Sequence, residues 1–166
     1  MAILERFKSE KIENTEAFAS ALALVLVTGD VIGLCGPLGA GKSVFARAVI
    51  RTLAGDPELT VCSPTFTLVQ EYELPSVMVS HFDLYRLTGM AELREIGLRD
   101  AMLNRIVLIE WAERAENILK PSLNIWMEPS DREDDTRIFT VCGDQEARGE
   151  QVRGIIEPLK KSGILI

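Results

Sequence analysis

The segment from Gly36 to Ser43 matches the pattern G-x-x-x-x-G-K-[ST] of a phosphate-binding loop. Its residues are Gly36, Pro37, Leu38, Gly39, Ala40, Gly41, Lys42 and Ser43. Glycines let backbone N–H groups turn inward around phosphates, and a helix starting near Gly41 would point its positive end at them. Lys42 can then reach the β and γ phosphates, and the Ser43 hydroxyl can ligate Mg²⁺. An apolar strand before the loop and an amphipathic helix after it strengthen this interpretation.

A phosphate-binding loop requires a carboxylate that holds or orients the metal, usually at the end of a neighbouring strand. Two residues compete for this role. Asp83 follows the predicted strand from Val77 to Phe82, and Glu110 follows the apolar run from Ile106 to Ile109. Glu110 is the clearer candidate, because a short apolar run that ends in an acid is typical of a buried strand delivering a carboxylate to the carboxyl edge of a sheet.

Four other features have both a functional and a structural interpretation. Ser63-Pro64-Thr65-Phe66-Thr67 places three hydroxyls around a proline, which suits either a switch segment that senses the γ-phosphate or a simple turn. Trp111 is interpreted as a core or interface residue, with stacking on a base as the alternative. His81, the only histidine, is expected to be structural. The acidic run from Asp131 to Asp135 is expected to be a solvated hairpin loop.

The elements that would position these residues alternate between helices and strands. The predicted helices run from Asn14 or Thr15 to about Val27, from the loop to Gly55, from Met90 to Ile96, from Glu113 to Leu119, and from Gln145 to Lys161. The predicted strands are Val31 to Cys35, Thr65 to Glu71, Val77 to Phe82, Ile106 to Ile109, Asn124 to Met127 and Arg137 to Cys142. This order predicts an α/β fold of the P-loop NTPase type, with a mixed sheet flanked by helices and a C-terminal hairpin and helix.

Composition sets outer limits on the class of protein. The chain has 166 residues and is 47% hydrophobic, which is enough for a single domain, residues 1–166, that needs no disulfide or structural metal. The longest apolar run, Ala21 to Val27, is far shorter than the ~20 residues of a membrane helix. Glu5 stands where a signal peptide would be basic, so we expect a cytoplasmic protein that does not contact a membrane. The three cysteines, which are far apart, are expected to be reduced and buried.

The charge balance argues against tight, direct binding of nucleic acid. The sequence contains 18 Lys and Arg residues and 25 Asp and Glu residues, which gives a net charge of -7. Proteins that bind the phosphate backbone usually carry the opposite excess. Any role near RNA is therefore expected to depend on a partner.

Five sequence blocks together resemble the TsaE (YjeE) family of small bacterial P-loop ATPases in tRNA threonylcarbamoyladenosine biosynthesis. The blocks are Gly36 to Ser43, Ser63 to Val69, His81 to Arg86, Glu95 to Leu98 and Ile109 to Trp111. The resemblance spans about residues 14–143. Pro37 stands where the family usually has Asp, and Ser43 where it usually has Thr. Because serine keeps the metal-binding hydroxyl, the second departure preserves the function of that position.

The resemblance implies ATP hydrolysis in support of N6-threonylcarbamoylation of adenosine 37 in tRNA. A TsaD–TsaB complex is expected to be the partner that transfers the group, and the tRNA would be contacted only indirectly. By the same resemblance, Lys42 contacts phosphate, and Ser43 and Glu110 ligate Mg²⁺. Asp83, Thr65 and Trp111 would support hydrolysis or coupling.

Two alternative functions use the same loop. A small-molecule kinase would normally carry an arginine-rich lid, and no arginine cluster follows the central strands. In a nucleotide-binding scaffold, the assembly of the protein with its partners would matter more than hydrolysis of the nucleotide. A GTPase is disfavoured because the sequence contains no Asn-Lys-x-Asp motif. Asn14 to Phe18 and Arg137 are the candidates for contacts to adenine.

Overall fold

The computed structural model describes residues 1–87, 89–130 and 133–166, and within them seven strands form one mixed sheet. The strands are β1 (Ala2–Ser9), β2 (Val31–Cys35), β3 (Val69–Glu73), β4 (Met78–Asp83), β5 (Ile106–Glu110), β6 (Leu123–Ser130) and β7 (Glu133–Gly143). Their order across the sheet is β1-β7-β6-β2-β5-β4-β3. β5, which was predicted as a buried strand, lies between β2 and β4 and runs parallel to both.

Helices cover both faces of this sheet. They are α1 (Ile12–Ala23), α2 (Lys42–Ala54), α3 (Met90–Glu95), α4 (Leu98–Asn104) and α5 (Gln145–Lys161), with a 3₁₀ turn at Ala112–Ala115. α1, α2 and α5 pack on one face around Phe18, Phe45 and Ile156. α4 and the 3₁₀ turn cover the other face. All residues of β2 and β5 are buried, as expected for strands covered on both sides. The predicted α/β class with a mixed sheet is confirmed.

The first helix begins and ends earlier than predicted. α1 starts at Ile12 after Lys11, which makes no side-chain cap, so neither Asn14 nor Thr15 is the N-cap. The Thr15 hydroxyl instead hydrogen-bonds to the Ser9 hydroxyl at 2.9 Å, in the interior. The helix ends at Ala23, and Val27 beyond it is exposed and donates its N–H to Asp30.

The segment predicted as a strand from Thr65 is a turn in its first part. The N–H of Leu68 donates to the carbonyl of Pro64 at 2.7 Å, and Leu68 has a φ of 67°. β3 therefore begins only at Val69, and it pairs antiparallel with β4. The side chain of Thr65 is held by Asp83, which explains why the chain turns here instead of extending.

Three further elements differ from the sequence prediction. β1 and α4 were not predicted, and the helix expected at residues 113–119 is only the 3₁₀ turn Ala112–Ala115. Asp131 and Arg132 lie outside the described residues, whereas residues 133–135 of the predicted acidic loop belong to β7. The C-terminal hairpin and the helix Gln145–Lys161 are confirmed.

The described residues include no helix that is both long and apolar enough to cross a membrane. The three cysteines are free. Cys35 is buried as expected, but Cys62 is exposed, so the prediction of a buried side chain is wrong for Cys62.

Candidate functional site

The loop from Gly36 to Gly41 connects the end of β2 to the start of α2 at the carboxyl edge of the parallel strands. No side chain of the described residues caps α2, whose N-cap is Gly41. The first turn of α2 contains no acidic residue. The N–H groups at this helix end, together with the positive end of its dipole, are therefore available to an anion.

A cavity of about 340 Å³ lies beside the loop and brings together the residues that the sequence predicted for the site. Its lining consists of Leu38, Gly39, Ala40, Gly41, Lys42, Ser43, Val44, Thr65, Asp83, Tyr85, Glu110 and Trp111. Lysine, hydroxyls and two carboxylates, contributed by segments far apart in the sequence, thus face one space. This combination suits a phosphate group with an associated cation.

Lys42 is buried in this site, with 5% of its surface exposed. Its Nζ donates to the carbonyl of Gly36 at 2.6 Å and to that of Pro37 at 2.8 Å. The same atom lies 3.6 Å from the centroid of the Trp111 ring. Burial lowers the pKa of Lys42, and the nearby carboxylates, Glu113 first, act in the opposite direction. The ammonium group is therefore held by loop carbonyls and an aromatic face at the edge of the cavity.

Glu110 is the carboxylate that reaches Ser43. The Ser43 hydroxyl donates to Oε2 of Glu110 at 2.8 Å. The other carboxylate oxygen, Oε1, lies 2.8 Å from Nε2 of His81. Both Glu110 and His81 are almost fully buried. Each carboxylate oxygen thus has its own partner, which fixes the orientation of the group.

Asp83 has a different set of partners and anchors the segment at residues 63–67, for which the sequence suggested either a switch segment or a simple turn. Its Oδ2 accepts the Thr65 hydroxyl at 2.9 Å, and its Oδ1 accepts the N–H of Tyr85 at 2.8 Å. Because Thr65 donates to Asp83, the Ser63 hydroxyl donates to Thr65, also at 2.9 Å. Of the two competing carboxylates, Glu110 therefore lies against the loop, whereas Asp83 holds Thr65 at the cavity wall.

Trp111 lies immediately after Glu110, and its backbone is in the left-handed region, which is unusual for a residue other than glycine. Its φ is 60°, and its N–H donates to the carbonyl of Leu34 at 2.9 Å. The ring packs 4.9 Å from that of Tyr85, and Arg114 lies over both rings. Left-handed backbone at a bulky residue costs energy and is found where surrounding contacts enforce it, often at functional sites. Here the turn directs the ring towards Lys42.

Two further residues contact the loop. Arg137, predicted as a candidate for adenine, donates from Nε to the Ala40 carbonyl at 3.0 Å and from Nη2 to the Gly39 carbonyl at 3.3 Å. Glu113, which was not predicted, accepts the N–H of Gly36 at 3.2 Å. Both contacts join residues that are 77 or more positions apart, so no local pattern could indicate them.

The second candidate for adenine does not reach the cavity. Phe18, at the end of the segment from Asn14, is fully buried and packs 5.3 Å from Phe45 in the aromatic core. It is therefore a core residue.

Burial, followed by the charge of Glu113, raises the pKa of Cys35. Cys35 is thus a neutral thiol beneath the loop and not a reactive group.

The residues present fit a Mg²⁺ ion. Hydroxyl and carboxylate oxygens are the ligands that this ion prefers. Neighbouring oxygens in an octahedron with Mg–O distances of about 2.0–2.1 Å are about 2.9 Å apart, and the Ser43 and Glu110 oxygens are separated by 2.8 Å. The described residues contain no group of three or more His, Cys, Asp or Glu side chains that could hold a metal ion. Phosphate oxygens and water would supply the remaining ligands, as is usual for this ion.

The central strand β2, the loop and α2 define the P-loop α/β class of fold. The model of the family described as "Threonylcarbamoyl adenosine biosynthesis protein TsaE" matches residues 9–139. The chain belongs to the TsaE family.

Several known proteins are similar to this chain. It is 39% identical over 111 residues to a tRNA threonylcarbamoyladenosine biosynthesis protein TsaE from Rickettsia conorii. The matched region covers 67% of this chain and 63% of that protein. The corresponding protein of Mycobacterium bovis is 34% identical over 142 residues, 78% of this chain and 82% of that protein. The chain thus spans less than two thirds of the Rickettsia conorii relative.

The fold is also similar to a solved structure. The crystal structure of YdiB from Bacillus subtilis matches with a TM-score of 0.67 and 26% sequence identity. The match covers 96% of this chain and 95% of YdiB. The similarity therefore extends over almost the whole sheet and its helices.

Proposed function

We propose that this protein is an ATPase of tRNA threonylcarbamoyladenosine biosynthesis that acts on a TsaD–TsaB-type transfer complex. Membership of the TsaE family supports the pathway. The observation that carries the nucleotide chemistry is the contact of 2.8 Å between Ser43 and Glu110 beside the buried Lys42. A loop lysine, a loop hydroxyl and a strand-end carboxylate are the groups that a Mg²⁺-nucleotide requires.

Each of these groups has a role in the proposed reaction. The loop N–H groups and Lys42 would bind the phosphates, while Ser43 and Glu110 would hold Mg²⁺, whose charge would stabilise negative charge on the phosphate oxygens. A water oxygen forms a bond to the γ-phosphorus, and the bond from that phosphorus to the β–γ bridging oxygen breaks, giving ADP and phosphate. Thr65, held by Asp83 at the cavity wall, is positioned to orient the water.

The intrinsic rate is expected to be low. No arginine is among the described residues that line the cavity. Two arginines beside the site are engaged in other contacts, Arg114 with the Tyr85 carbonyl and Arg137 with the loop carbonyls. Phosphoryl-transfer sites of this class often receive a stimulatory arginine from a partner. The proposed partner complex would also hold the tRNA, which agrees with the net charge of -7.

The test is ATP turnover, measured as phosphate release with and without a TsaD–TsaB-type complex. We expect stimulation by the complex, and loss of turnover in Lys42→Ala and Glu110→Ala. Lys120→Ala and Glu128→Ala, which remove the same charges from exposed positions, are the matched controls. Unchanged turnover in both site variants would refute the assignment of Lys42 and Glu110 to the site.

The same variants separate the alternatives. If Glu110→Ala binds ATP without hydrolysing it and still fully supports tRNA modification, the protein is a nucleotide-dependent scaffold. If mass spectrometry of metabolites incubated with ATP and the protein finds a phosphorylated product, it is a small-molecule kinase.

A further inference from the structure

His81 is a buried polar side chain whose position is explained by one contact. It lies in β4 with 1% of its surface exposed, and its Nε2 is 2.8 Å from Oε1 of Glu110. Its other ring nitrogen, Nδ1, is buried and has no hydrogen-bond partner among the residues that the structure describes. A buried polar group costs free energy unless it is hydrogen-bonded, so the contact with Glu110 is what offsets the burial of this ring.

The register of the sheet places His81 on the same side as the candidate site. β4 and β5 are parallel, with Asp83 opposite Glu110 and His81 opposite Leu108. Side chains two positions apart in a strand share a face. Leu108 packs in the core beneath α2, so His81, Asp83 and Glu110 all face α2 and the loop. The positions next to His81 on this face are mixed in character, with Leu108 and Gln70 opposite it in the neighbouring strands.

The hydrogen bond has a defined direction. An ionised carboxylate only accepts hydrogen bonds, so Nε2 of His81 carries the hydrogen and donates it to Glu110. Nδ1, which has no partner among the described residues, takes no part in this bond.

We propose that His81 is a positioning residue that fixes the Glu110 carboxylate for Mg²⁺ binding, an inference that rests on the proposed function. His81 holds Oε1, so that Oε2 faces Ser43 and the cavity. If the Ser43 oxygen served as a metal ligand, its hydrogen could still be donated to Glu110, and the His81 contact would hold the other carboxylate oxygen in place. Partners that orient metal ligands in this way typically contribute 10–100-fold to metal affinity.

Three substitutions test the direction and position of this hydrogen bond. His81→Phe keeps the ring volume and removes the donor. His81→Gln places an amide nitrogen near the position of Nε2, whereas His81→Asn is shorter and places its amide near Nδ1. We therefore expect His81→Gln to retain the positioning, and His81→Phe and His81→Asn to lose it.

The measurement is ADP affinity by isothermal titration calorimetry, with Mg²⁺ and with a chelator, so that no turnover is involved. In the wild-type protein we expect Mg²⁺ to strengthen ADP binding. In His81→Phe and His81→Asn this gain should fall about 10–100-fold, while affinity without Mg²⁺ stays within about twofold. His81→Gln should keep most of the gain. Melting temperatures are recorded for all variants, and if His81→Phe does not fold, the difference between His81→Gln and His81→Asn decides.

The outcomes separate the two proposals. If the wild-type protein gains nothing from Mg²⁺, the assignment of Ser43 and Glu110 as ligands is wrong, and the role of His81 is overturned with it. If the wild-type protein gains affinity and His81→Phe and His81→Asn gain as much, only the role of His81 is overturned. If affinity falls equally with and without Mg²⁺ in all three variants, His81 is merely structural, which also overturns the proposal.

Discussion

Replacing Gly36 by alanine should destabilise the protein far more than the same change at Gly39, although both glycines belong to the phosphate-binding loop. Gly36 has a φ of +130°, and an added Cβ would stand 2.1 Å from the backbone carbonyl oxygen of Met127 in β6. Gly39 has a φ of +78°, and an added Cβ would meet nothing within 4 Å. The two variants share unfavourable backbone geometry, but only Gly36→Ala adds a collision with a strand.

The magnitudes follow from these two effects. A left-handed conformation costs a residue with a Cβ about 1–2 kcal/mol, which is the whole expected loss for Gly39→Ala. The backbone of Gly36 lies further from the allowed regions, at a cost of about 1–3 kcal/mol. Relieving the contact with Met127 requires β6 or the loop to move, which typically costs a further ~1–3 kcal/mol. For a chain of this length, each kcal/mol lowers the melting temperature by about 2–4 °C.

Thermal unfolding followed by circular dichroism, with urea denaturation as an independent measure, compares the two variants with the wild-type protein. We expect a loss of roughly 5–20 °C for Gly36→Ala and roughly 2–8 °C for Gly39→Ala. Equal losses, or a larger loss for Gly39→Ala, would refute the reasoning that close packing of the loop on β6 requires the first glycine.

Three further predictions concern single side chains. Lys42→Met removes the ammonium group that is proposed to bind phosphate, so it should weaken ADP binding at least about tenfold, as calorimetry would show. ADP should change the tryptophan fluorescence through Trp111, which contacts Lys42; Trp111→Phe should abolish the change and Trp126→Phe should retain it. In a thiol titration of the native protein, exposed Cys62 should react fast and buried Cys35 only after denaturation, and equal rates would contradict this burial pattern.

The parts of the site that could be predicted from the sequence are those written in short local patterns. The loop is a contiguous motif, and Glu110 ends an apolar run that only a buried strand explains. Both patterns depend only on residues that are adjacent in the sequence. Glycine permits the backbone conformations of a turn, and an uninterrupted apolar run is typical of a strand that is covered on both faces. Lys42, Ser43 and Glu110 accordingly lie where the sequence placed them, around one cavity.

The parts that were missed depend on contacts between distant segments. β1 carries charged residues and becomes a strand by pairing with β7, with Ala2 opposite Gly143. Thr65 forms a turn because Asp83, 18 residues later, accepts its hydroxyl. His81 resembled an ordinary strand residue, and only the parallel register of β4 and β5 brings it to Glu110. Tertiary contacts of this kind override local propensity and leave no local signal.

The hydrogen bonds within the site also limit how tightly a nucleotide can bind. Lys42 donates to two loop carbonyls, and the Ser43 hydroxyl donates to Glu110. A bound phosphate must replace the bonds that Lys42 makes, so each new contact of Lys42 contributes only the difference between the new bond and the old one. Hydrogen bonds to charged groups contribute about 1.5–3 kcal/mol against about 0.5–1.5 kcal/mol for neutral ones. Because Lys42 exchanges neutral carbonyls for a charged phosphate, its net contribution is positive but smaller than that of a free lysine. The N–H groups at the start of α2, which no side chain of the described residues caps, have no such bond to give up and should therefore supply a large share of the affinity.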